Sequence, residues 1–122
     1  MVELATELCV RMVGDGAHGT RARYELSLHA ARSPGLRDQL VEAGTVLRRL
    51  GAAQLAALGV PHPMAAAEEI MAVIDGLVFT ALLRGPDEPD ALREWFRRPL
   101  HGLLSSHLDP SHLEPAARGG EQ

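Results

Sequence analysis

Apolar side chains recur at steps of three and four along most of the chain, and glycine and proline interrupt them at intervals, which predicts about five helices. Val2 to Val13 carries Leu4, Leu8 and Met12 with Ala5 and Cys9 beside them, closed by Gly14-Asp15-Gly16. From Thr20 to Arg32, Ala22, Leu26 and His29 form one stripe and Tyr24, Leu28 and Ala31 its neighbour. Ser33 before Pro34 is a helix-start signal, because serine can cap and proline gives up no hydrogen bond in the first turn. Leu36, Leu40, Ala43, Leu47, Leu50, Gln54 and Leu58 then share one face of a long third helix ending at Gly59, with Gly44 and Gly51 placed to admit a close neighbour or ligand. After the Pro61-His62-Pro63 break comes a fourth helix to Arg84. The last one carries Leu92, Trp95, Phe96, Pro99, Leu100, Leu103 and Leu104 on one side, with a kink expected at Pro99.

The fourth helix is apolar nearly all round. At about 100° per residue, Ile70, Met71, Val73, Ile74, Leu77, Val78, Ala81 and Leu82 make a broad arc, and Ala72, Phe79 and Leu83 a second patch. Two narrow polar strips separate them. One small subunit covers one face, so the other is expected to meet a second chain or an apolar ligand; each large side chain left wet forfeits about 1.5 to 3 kcal/mol.

Alanine and leucine dominate the 122 residues, and the two isoleucines both lie in the fourth helix. That composition gives an all-α single domain, expected over residues 1 to 108, with a flexible tail at 109 to 122. The net charge of -4 argues against direct nucleic-acid binding by this chain alone, since phosphate contacts need a basic surface. No apolar run reaches membrane-span length and the N-terminus lacks a secretory pattern, so the expected location is cytoplasmic, with no membrane partner.

Candidate chemistry is sparse. The six histidines include no pair at helical clamp spacing, so no metal site is expected. Cys9 on an apolar stripe reads as a small core residue, and nothing pairs a nucleophile with a base. The expectation is no enzyme and no cofactor. Asp75 stands among apolar neighbours, and either shares a wet strip with Glu68 or meets an arginine across the dimer or a ligand.

Three segments carry a family likeness. Thr20-Arg21-Ala22-Arg23-Tyr24-Glu25-Leu26, then Ala30-Ala31-Arg32-Ser33-Pro34-Gly35-Leu36-Arg37, then Asp75-Gly76-Leu77 before a Pro/Asp-rich joint resemble the ligand-binding domain of the TetR family of bacterial transcription repressors. The resemblance spans roughly residues 1 to 106 and does not include the family's DNA-binding helix-turn-helix domain. It implies an antiparallel bundle whose last two helices pair with those of a second subunit in a four-helix dimer interface, while the earlier helices enclose an effector pocket. Candidate ligand contacts are Tyr24, Leu28, Leu47, Gln54, Met71 and Phe79, suited to a small, mostly apolar effector. Candidate dimer contacts are Ile70, Ile74, Leu77, Val78, Trp95, Phe96, Leu100 and Leu103. The expected function is effector sensing and homodimerisation in a TetR-like regulator; the alternative is an interaction module that dimerises with a full-length repressor and binds no small molecule.

Overall fold

A computed structural model describes residues 1–109. Those residues form five α-helices and no strand: α1 Val2–Val13, α2 Ala17–Ala30, α3 Pro34–Ala57, α4 Pro63–Arg84 and α5 Pro89–Leu108. The tail expected beyond Leu108 lies, Asp109 apart, outside the described residues.

Local chemistry sets the ends. Prolines open α3, α4 and α5, where a missing N–H costs nothing. α3 closes two residues before the expected Gly59, in a paired-bond cap. Gly59 takes φ 86°, its N–H reaches the Ala56 carbonyl at 3.0 Å, and the Val60 N–H reaches the Leu55 carbonyl at 3.1 Å. Val60 and Leu55 are both buried, so the cap also closes a hydrophobic contact. α4 stops where the Gly85 N–H meets the Ala81 carbonyl at 2.9 Å. A Cβ at Gly85 would come within 2.6 Å of that carbonyl oxygen, so the turn needs glycine.

α2 begins three residues earlier than its apolar stripe suggests. Its first turn runs through the glycines because the Thr20 N–H and hydroxyl both bond the Gly16 carbonyl at 3.0 Å. Its last turn tightens ahead of Pro34, with the Ser33 N–H on the Ala30 carbonyl at 3.0 Å. α5 continues through Pro99, which sits on the solvent side and not on the apolar stripe.

The core has two parts joined by Ile70, which packs against both. One joins α3 to α4 through Ala52, Leu55, Val60, Ala66 and Ala67. The other gathers Cys9 of α1, Val78 of α4, and Phe96 and Leu100 of α5. Thr6 is buried beside them at 1% exposure, and its hydroxyl has no hydrogen-bond partner among the described residues. No described helix is long and apolar enough to cross a membrane.

Candidate functional site

α4 passes through the centre of the bundle, and its broad arc faces its own protomer. Val78 and Phe96 are 0% exposed and Leu100 is 4% exposed. Val78 and Phe96 have no accessible surface to offer a partner and Leu100 has almost none, so these three leave the expected dimer seam and pack in the protomer's own core. Ile70, Ile74 and Leu77 are half-buried and pack on that same core. Trp95 and Leu103 are half-buried too, and the Trp95 indole N–H donates to the Leu77 carbonyl at 3.3 Å, fastening α5 to α4.

The six candidate ligand contacts separate into two open depressions on different sides of α4. Leu47, Gln54 and Met71 meet between α3 and α4, with Gly51, Ala67 and Ile70, around about 100 Å³. Tyr24, Leu28 and Phe79 meet between α2 and α4, with Arg21, Glu25, Leu82 and Leu83, around about 230 Å³. Neither is the enclosed pocket expected, and both fall below the roughly 300 to 1,000 Å³ typical of ligand sites.

The α2–α4 depression is the better organised. The Tyr24 and Phe79 rings meet edge to face, centroids 5.9 Å apart and planes at 88°, a favoured aromatic geometry. The Tyr24 hydroxyl lies 3.2 Å from the Asp75 carbonyl oxygen and 3.4 Å from its Oδ1. The Arg23 guanidinium reaches the same Oδ1 at 3.1 Å and lies 4.8 Å from the centre of the Tyr24 ring. Asp75 thus finds its arginine within its own chain, on α2, and not across a dimer, while its side chain stays nearly half exposed. Burial is the main cause raising the Tyr24 phenol above its ordinary value, with the Asp75 charge next.

Burial also pushes the Cys9 thiol up to about 11, helped by Asp75, which leaves it protonated at neutral pH and unsuited to nucleophilic attack. Elsewhere Arg93 of α5 pairs with Glu7 of α1, and His107 Nε2 of α5 lies 2.8 Å from Glu69 Oε2 of α4 at an angle that makes no hydrogen bond. Among the described residues no cluster of three His, Cys, Asp or Glu is placed to hold a metal.

Arg21, Glu25, Leu82 and Leu83 also line the α2–α4 depression and were not among the sequence candidates. The Arg21-x-Arg23-Tyr24-Glu25 spacing carried that signal, since residues four apart share a helix face.

The family model for the tetracyclin repressor-like C-terminal domain matches residues 1–106. No curated protein and no solved structure matches the chain.

Proposed function

The chain belongs to the tetracyclin repressor-like C-terminal domain family, and on that premise we propose that it is the effector-sensing and dimerisation unit of a transcriptional regulator. The observation that carries the sensing part is the apolar depression on Tyr24, Leu28 and Phe79, beside the Arg23–Tyr24–Asp75 contacts that tie α2 to α4. A small apolar molecule with an aromatic or branched body fits against Phe79 and Leu28. Arg21 stands at the edge to meet an anionic group on it. A ligand wedged there acts on the α2–α4 spacing, and it shifts the conformational balance only as far as it binds one spacing better than the other.

The dimer seam in this reading is the outer face shared by α4 and α5. Val73, Gly76 and Thr80 lie on it from α4, and Trp95, Pro99 and Gly102 from α5. A Cβ at Gly76 or Gly102 would meet nothing within 4 Å, so a second subunit can approach the backbone closely there. Because Gly76 follows Asp75 directly, the sensing contact and the seam share one turn of α4.

The small volume and openness of both depressions favour the second reading, a dimerising interaction module without a ligand. Thermal melting against a panel of small apolar acids and neutral compounds separates the two. Sensing predicts a concentration-dependent rise in Tm for some compounds, lost in Phe79→Ala; a flat response across the panel supports the interaction module.

A further inference from the structure

The leucine face of α3 points into solvent. Val46, Leu47 and Leu50 are 55%, 58% and 60% exposed, and only Ala52 and Leu55 are buried on the whole helix. The cause lies with the small residues. Gly51 turns toward α4, where a Cβ would sit 3.8 Å from that of Ala67, and Ala52 is buried beside it. The close-packed face of α3 is therefore built from small residues, and the bulky face is left outside.

From Leu36 to Ala57 the positions of this stripe alternate in steps of four and three, the heptad spacing of a helix–helix seam, with Leu36 and Leu40 half-buried and the five from Ala43 onward exposed. Neither that seam nor the adjoining row of Gln39, Val46 and Ala53 carries a charged residue. An uncharged strip of this length on a surface marks an interaction site.

We infer that the strip is an interface between two copies of this chain, with α3 antiparallel to α3 of the second copy about a two-fold axis beside Val46 and Leu47. A two-fold interface must be complementary to itself, and this register is. It sets Ala43 against Leu50 of the second copy and Leu36 against Ala57, so each of these alanines faces a leucine. At the rim it brings the exposed Glu42 alongside the exposed Arg49 of the second copy, once on each side of the axis. Parallel pairing sets Ala43 against Ala43 and Leu50 against Leu50, alternating gaps with crowding.

The strip is about 33 Å long and about 10 Å wide. Counted on both copies it is on the order of 700 Å², short of the roughly 1,200 Å² of a specific stable interface. The contact is thus weak and concentration-dependent, and separate from the proposed α4–α5 seam.

Sedimentation of the full chain from low to high micromolar concentration tests this. The average mass rises with concentration in the wild type, and Leu50→Glu and Val46→Glu, both at exposed positions, weaken that association about tenfold or more. Val46→Cys, adjacent to its own counterpart at the axis, gives a disulfide-linked pair under mild oxidation, whereas the wild type, whose only cysteine is buried, gives none. A wild-type mass that stays constant, or a rise that Leu50→Glu leaves unchanged, overturns the inference and points to a foreign helix or a small molecule on α3. Failure of the α4–α5 seam reads differently: Gly76→Arg then leaves the mass unaltered while Leu50→Glu still lowers it.

Discussion

The Tyr24 hydroxyl lies within 3.2 Å of the Asp75 carbonyl oxygen, so a residue of α2 is fastened to the middle of α4 across 51 positions of sequence. This bond and the Arg23 ion pair beside it are the polar ties between the two helices that line the candidate sensing depression. Tyr24→Phe removes the bond and keeps the ring against Phe79, and is expected to cost about 0.5 to 1.5 kcal/mol. Arg23→Ala is expected to cost less, about 0.2 to 1 kcal/mol, because its ion pair is nearly half exposed. Urea denaturation of both variants measures the order, and a larger loss from Arg23→Ala would reverse this ranking.

Thr6 holds a buried hydroxyl with no partner among the described residues. Thr6→Val keeps the branched shape and removes the polar group, so stability rises by about 1 kcal/mol. A drop in the urea midpoint would show that the hydroxyl is satisfied in solution.

Stability is expected to fall at alkaline pH. Cys9 is raised in the fold from an ordinary 9.0 to about 11, so between those values the unfolded chain gives up a proton that the native one keeps. This contribution is fully present below pH about 9 and is lost as pH rises toward about 11. The raised Tyr24 phenol acts in the same direction. Melting curves of the wild type should decline across that window, and those of Cys9→Ala, each referred to its own neutral value, should decline less.

Much of the fold is legible in the sequence because helix ends are chemical events. α1 and α4 begin and end where Gly14, Pro63 and Gly85 require, and a buried Cys9 follows from its place on an apolar stripe. The direction in which a stripe faces is less legible. Leu47 and Leu50 share one stripe by spacing, yet the inward side of α3 is fixed by Gly51 against Ala67, and periodicity does not report how closely two helices approach. Val78, Phe96 and Leu100 are apolar whether they meet their own core or a partner, so only the packing assigns them. Periodicity puts the six candidate ligand contacts on three helices of one expected pocket; separating Leu47, Gln54 and Met71 from Tyr24, Leu28 and Phe79 requires the path of α4 between them.

The assignment of Phe96 to the protomer core carries its own expectation. Phe96→Ala should cost about 3 to 5 kcal/mol, and the loss should not depend on protein concentration. A loss that grows on dilution would return Phe96 to a subunit interface.

The central claim is a dimer built on the outer face of α4 and α5, and it is tested most directly by the mass of the Gly76→Arg, Gly102→Arg double variant at low micromolar concentration. Both positions are open within the protomer, so the variant should retain its helical circular dichroism. The account predicts a dimeric wild type and a folded, monomeric variant under the same conditions. A folded variant that sediments as a dimer would contradict it.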